Sequence, residues 1–255
     1  MSPVSPLADF EHEACRLVEN ARNRGLIIRI MGATVIKLHC RKFVHLHNAM
    51  KRELTDVDLI TYRDLSRQLE PFFVEMGYVP DKRFIAYFGG NRLKYLDEVN
   101  RRNLDVFLDK LEMCHTIDFK ERLELDCPTI TLADFLLEKM QIVQLNEKDI
   151  KDTIVLLREH DVGNTEAESI NARYLGKLMA QDWGFYYTFT TNLKKVRDSL
   201  ERYPILSEDD RKDVSSKIDK ILDYIEREPK SMAWKMRARV GSKKKWYKDV
   251  EETVR

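Results

Sequence analysis

The chain has 255 residues, with 44 Lys and Arg against 43 Asp and Glu and a formal net charge of +1. That length suits one large domain or two small ones. The balance of charge excludes a global field as the basis of nucleic-acid or membrane binding. No apolar run approaches the length of a membrane span, and Met1-Ser2-Pro3-Val4-Ser5-Pro6 lacks the basic and apolar regions of a signal peptide, so a soluble cytoplasmic protein is expected. Cys15, Cys40, Cys114 and Cys127 form no Cys-x-x-Cys pair, which argues against a zinc knuckle and for small buried hydrophobes. Cys114-His115 would place a thiol beside a base, but sequence neighbours on a strand point to opposite faces.

Leu7 to Arg24 reads as an amphipathic helix, with Phe10, Cys15, Leu17 and Val18 among its apolar positions and Gly25 at its end. Leu26 to Met31 reads as a β-branched strand running into Gly32-Ala33, then a short helix over Thr34 to Cys40. Such a strand, glycine and helix start can turn backbone N–H groups toward an anion, or simply make a tight turn. Arg41 to Glu53 is basic and polar, and His45-x-His47 within it reads as part of a solvated loop rather than a metal site. In Thr55 to Thr61, alternation puts Asp56 and Asp58 on one face of a strand and Val57 and Leu59 on the other. Two acids on one buried face need a compensating charge, and a divalent cation is the simplest; an edge strand with a solvated face is the alternative.

Thr61 to Gly77 reads as a helix, Arg83 to Phe88 as a strand, Gly89-Gly90-Asn91 as a hairpin turn, and Arg92 to Val99 as the returning strand. Leu104 to Leu111 is a further strand, with Asp105 among apolar neighbours and Asp109 as the alternative acid if the register slips. Short strands are expected near Ile117 to Phe119 and Arg122 to Leu125. The period changes at Ile130. Thr131 reads as an N-cap for a helix carrying Lys139, a second helix starts at Asn146, and helical spacing continues over Glu166 to Ala180, Trp183 to Arg202, Ser207 to Glu228 and Ser231 to Val240. This predicts an α+β domain over residues 1–130, a mixed β-sheet with flanking helices, and a helical domain over residues 131–255.

Met31-Gly32-Ala33, then Asp56-x-Asp58, then Leu104-Asp105-Val106 resembles the polymerase-β-like nucleotidyltransferase superfamily. The helix with Lys139, followed by Lys148-Asp149-Ile150-Lys151-Asp152, is similar to the AbiEii-type toxin nucleotidyltransferases. The resemblance covers residues 26–157, and Ala33 departs from it where a second Gly or Ser is usual. It implies transfer of a nucleoside monophosphate from a nucleoside triphosphate to a hydroxyl of a tRNA, a protein or a small molecule, with release of pyrophosphate. Asp56, Asp58 and Asp105 would hold two divalent cations, Mg2+ or Mn2+, in a two-metal mechanism, as suits hard oxygen donors. Gly32 and Ala33 would cradle the triphosphate. Lys139 would meet the leaving pyrophosphate, with Asp149 or Asp152 holding it. The alternatives are a catalytically silent protein of this fold that binds nucleotide or RNA, and a helical adaptor in which the three acids coincide by chance. The tail around Lys243-Lys244-Lys245-Trp246-Tyr247-Lys248 interleaves cations with aromatics, which suits either RNA contact or a solvated face.

Overall fold

A computed structural model describes residues 5–250; residues 1–4, read above for a leader, and residues 251–255 lie outside them. In chain order the elements are α1 (Phe10–Arg22), β1 (Ile28–Met31), α2 (Thr34–His39), α3 (Val44–Ala49), β2 (Asp56–Thr61), α4 (Ser66–Glu75), β3 (Val79–Pro80), α5 (Lys82–Phe88), β4 (Arg92–Asp97), β5 (Arg102–Leu108), β6 (Lys110–Glu112) and β7 (Thr116–Asp118). They continue with α6 (Leu132–Met140), α7 (Glu147–Glu159), β8 (Asp161–Gly163), β9 (Ser169–Asn171), α8 (Ala172–Met179), α9 (Trp183–Ser199), α10 (Glu208–Arg227) and α11 (Met232–Val240). The chain forms two compact units. Among the described residues, the first comprises residues 5–39, 53–111 and 118–131, and the second residues 40–52, 112–117 and 132–250. The division at 131/132 lies beside the change of period, but two short segments from the expected first domain belong to the second unit.

The first unit is built on a mixed five-stranded sheet in the order β1-β2-β5-β4-β3. β2 and β5 are parallel neighbours, while β1 on one side and β4 on the other run antiparallel to them. Period-two alternation turns Val57, Leu59, Leu104, Val106, Leu93 and Tyr95 to one face, where all are buried. α1 packs beside β1 and β2 through Leu17, Val18 and Ala21, and Asp9 caps it by accepting from the His12 N–H. Buried Glu13 is fully engaged: it pairs with Arg16, accepts from the Tyr78 hydroxyl and caps the Leu7 N–H.

The segment expected as a strand over Arg83 to Phe88 is the helix α5. Asp81 caps it by accepting from the Phe84 N–H, and Phe84 and Phe88, one turn apart, bring their rings to 4.9 Å. An i,i+4 aromatic pair also satisfies a period-two reading, so the cap is the signal that distinguishes the two. Gly89-Gly90-Asn91 therefore follows a helix rather than joining two strands. Residues 122–125, expected as a strand, form turns.

The second unit centres on α10, which lies against α7, α8 and α9, with α6 packed on α7 and α9. Val214, Ile218, Ile221 and Ile225 recur along its buried stripe. Two departures from helical spacing occur here. β8 and β9 form a small parallel pair where a loop and a helix start are expected. α3 replaces the expected loop; its start is held by the Glu159 carboxylate, which accepts from the Lys42 and Phe43 N–H groups. Among the described residues no helix is long and apolar enough to cross a membrane.

Candidate functional site

The acids of β2 and β5 are brought together by register. Asp58 stands opposite Asp105 across the parallel pair, so both side chains leave the same face of the sheet, and Asp56 follows two residues earlier on that face. One carboxylate oxygen from each of Asp56, Asp58 and Asp105 lies within 4.8 Å of the others. Asp105 is 3% exposed and Asp56 and Asp58 are half-buried. Asp109, the alternative acid, takes positive φ beyond the end of β5 and accepts from the Arg63 N–H, outside this cluster.

Gly32 sits against the cluster. The antiparallel pairing of Met31 with Asp58 delivers the chain to this point, where Gly32 turns at φ +70°. A Cβ there would lie 2.5 Å from Asp58 Oδ2, so two independent constraints require glycine. Ala33 follows, and the Gly32 and Ala33 carbonyls accept from Val35 and Ile36 as α2 begins. α2 spans 6 residues, so its dipole adds little; any contribution to phosphate binding rests on the turn's own amides.

The cluster also has a cation that sequence reasoning missed. Arg92 on β4 grips Asp105 with both arms: Nε donates to Oδ1 at 3.0 Å, and an Nη lies 2.7 Å from Oδ2. The guanidinium lies 4.9 Å from the Phe107 ring centroid and 5.6 Å from that of Phe84. Arg92 pairs with Phe107 in the β4–β5 register and shares the face of Asp105 two residues away. The misassigned strand over Arg83 to Phe88 obscured this register. The donor set suits a hard divalent cation: three carboxylates, all oxygen, converging on one point. One of their charges is already matched by Arg92, so a bound cation competes with a guanidinium for Asp105.

Lys139 and Asp149 lie in the second unit, within a buried ion cluster of that unit. Lys139 Nζ is 3.0 Å from Glu138, 3.4 Å from Asp152 and 3.7 Å from Asp149. Asp152, fully buried, also accepts from Arg52 through both oxygens and lies 2.7 Å from His47 Nε2. Lys139 therefore does not reach along an apolar face to water, and both candidate partners hold it. His47, expected in a solvated loop, is buried on α3 as a partner of Asp152. Burial alone would push the Lys139 ammonium down, but Glu138, Asp152 and Asp149 outweigh it and hold the pKa above its usual value. Burial raises the Asp149 carboxyl to about 6, with Lys139 offsetting part of the effect. Burial also opposes ionisation of Asp152, yet Lys139, His47 and Arg52 together keep its pKa below the usual carboxylate range. The spacing Asp149-x-x-Asp152 on one helix face was the legible signal; Arg52 and His47 lay in a segment read as loop.

Cys114 and His115 do not form a nucleophile and base. His115 Nε2 bonds the Thr188 hydroxyl at 2.8 Å, its ring stacks on Phe185, and burial lowers its pKa to about 4. It is a neutral core imidazole.

The chain matches no family model, no curated protein and no solved structure.

Proposed function

We propose that the chain is a metal-dependent nucleotidyltransferase that moves a nucleoside monophosphate from a nucleoside triphosphate to a hydroxyl acceptor. The observation that carries this reading is the convergence of Asp56, Asp58 and Asp105 from adjacent parallel strands onto one point. Divalent Mg2+ or Mn2+, when bound, supplies the charge that neutralises the attacking and leaving oxygens. Asp56 and Asp58 would hold it from one strand and Asp105 from the next. The Gly32-Ala33 turn keeps side-chain bulk away from Asp58, so its backbone would be open to a phosphate of a bound nucleotide. The acceptor oxygen bonds to the α-phosphorus, the bond to the β-phosphate oxygen breaks, and the hydroxyl proton passes to a carboxylate of the cluster. A tRNA, a protein side chain and a small molecule all meet the need for a hydroxyl. A part for Lys139 and Asp149 in this chemistry rests on the resemblance of their motifs.

Two observations favour a second reading, a catalytically silent protein of this fold that binds nucleotide or RNA. Arg92 already grips both oxygens of Asp105, and Ala33 stands where a hydroxyl or a second glycine is usual. One experiment separates the readings. Each nucleoside triphosphate, labelled at the α-phosphate, is incubated with Mg2+, RNA and lysate, and covalent label is followed for wild type and Asp58→Asn. Mg2+-dependent label with wild type, lost in Asp58→Asn, supports transfer. A rise in melting temperature with Mg2+ and nucleotide but no covalent label supports the silent protein. Neither label nor stabilisation would remove both.

A further inference from the structure

Between Lys230 and Lys248 the sequence carries eight Lys and Arg and no acid, which leaves the rest of this nearly neutral chain with an excess of acid. Elsewhere in the second unit cations are interspersed with acids, and several of the exposed ones are paired with carboxylates, as in Lys212–Glu208 and Arg227–Asp223. Lys235, Arg239, Lys243 and Lys244 are exposed and enter no ion pair among the described residues. Their charge is therefore not cancelled locally, and a field extends from this surface over roughly a Debye length, about 10 Å at 0.1 M salt.

The surface is built rather than loose. Trp246 Nε1 donates to the Thr188 hydroxyl at 3.0 Å, and the Lys248 N–H donates to the Cys114 carbonyl at 2.9 Å. Arg237 ties the segment to α11 by donating to the Gly241 and Lys244 carbonyls, while its guanidinium lies 4.6 Å from the Trp183 ring centroid. α9 makes room for the tail at Gly184, where a Cβ would fall 2.6 Å from the Trp246 carbonyl oxygen. Trp246 meets Tyr187 and Tyr247 edge-on at 5.0 and 5.2 Å, and all three rings are half-buried beside the exposed lysines.

We infer that the segment from Lys243 to Lys248, with Lys235 and Arg239 of α11, is a binding surface for a single-stranded polynucleotide. Phosphates need cations spaced along a path, and bases need flat partners beside that path; this segment presents both. A single strand fits better than a duplex, because only unstacked bases can reach half-exposed rings. The inference does not depend on chemistry at the acid cluster.

The test uses the full chain and fluorescently labelled single-stranded RNA and DNA oligonucleotides, with affinity measured across a salt series. Wild type should bind at least one of them. Lys243→Glu/Lys244→Glu should weaken binding at least tenfold at low salt and reduce the log–log salt slope by about 1.4, two phosphate contacts at ~0.7 each. Lys212→Glu/Arg227→Glu, the same charge change elsewhere in the unit, should leave binding within about twofold, as the phosphate contacts are untouched. Gly184→Ala alters no charge but should lift the tail, change Trp246 fluorescence and weaken binding as well. Binding of neither nucleic acid overturns the proposal. So does equal weakening by both double variants, or competition by oligoglutamate of equal charge as effective as unlabelled oligonucleotide.

Discussion

Gly25 and Gly32 take nearly the same left-handed backbone, φ +72° and +70°, yet only Gly32 faces an obstacle. Gly25→Ala should cost the conformational term alone, roughly 1–2 kcal/mol. Gly32→Ala should cost a further ~1–3 kcal/mol for overpacking against Asp58. Urea melts of both variants, and of Gly32→Ala combined with Asp58→Ala, check this: the second change should relieve part of the first, giving non-additive losses. A different balance governs Lys139. Lys139→Met leaves Asp149, Asp152 and Glu138 together without the ammonium, so the loss should be about 3–5 kcal/mol, as for a broken buried pair. Acid titration divides the two aspartates. Asp149 has a folded pKa of about 6 against a usual 3.8, so the folded state binds its proton more tightly than the unfolded chain. Its contribution to stability is complete below the unfolded pKa and is lost as pH rises through about 6. Asp152 has a lowered folded pKa, so its contribution is present above the unfolded pKa and is lost as pH falls through the folded one. Asp149→Asn should therefore flatten the fall in stability between about pH 4 and about pH 6, and Asp152→Asn should not. Melting temperatures recorded across that interval distinguish them.

At the scale of elements, caps decide several boundaries. Ser207 and Asp210 form a reciprocal box at the start of α10, and Asp210 also accepts from Arg158 of α7 at 2.6 Å. Ser207→Ala should cost about 1 kcal/mol, while Asp210→Ala should cost more because it removes the link to α7 as well as the box. Chemical denaturation of the two variants measures the difference. Local signals of this kind made much of the fold legible. The helices over α9 and α10 follow their hydrophobic spacing and caps, and α11 follows its Ser231 cap; the strand pair β2–β5 follows from alternation with acids in phase. What was not legible rests either on a local pattern that fits two structures or on partners distant in sequence. α5 shares its apolar positions with a strand pattern, and only Asp81 marks it as a helix. α3 is polar by composition, and its start is held by Glu159, far along the chain. At the candidate site, phase put Asp56 and Asp58 on one face, but Asp105 and Asp109 share a phase, and only the pairing of Asp58 with Asp105 tells them apart. Arg92 could not be named, because its position opposite Phe107 depends on the β4–β5 register.

Over the whole molecule, charge does two separate jobs. The buried ion clusters, Glu13 with Arg16, Asp97 with Arg102, and Asp152 with Lys139, Arg52 and His47, are shielded from solvent ions. The exposed cations of the tail are not. Raising salt from about 0.05 M to about 0.5 M should leave the melting temperature nearly unchanged while abolishing binding to a single-stranded oligonucleotide. Differential scanning fluorimetry and anisotropy on the same samples check both halves. A large fall in melting temperature would mean that surface pairs, rather than the buried clusters, carry the electrostatic part of stability.

The parallel pairing of β2 with β5 also sets an order in time. β3, β4, α4 and α5 all lie between the two strands in the chain. As the protein is synthesised from its N-terminus, Asp56 and Asp58 emerge well before Asp105, and the three acids first meet when the last turn of chain before Leu108 has left the ribosome. Until then a nascent chain displays two carboxylates, and later Arg92 of β4, without the third acid that Arg92 grips. Any N-terminal fragment ending before Arg102 is thus inert at this site by construction, and whatever the cluster does, it does only after the sheet has closed.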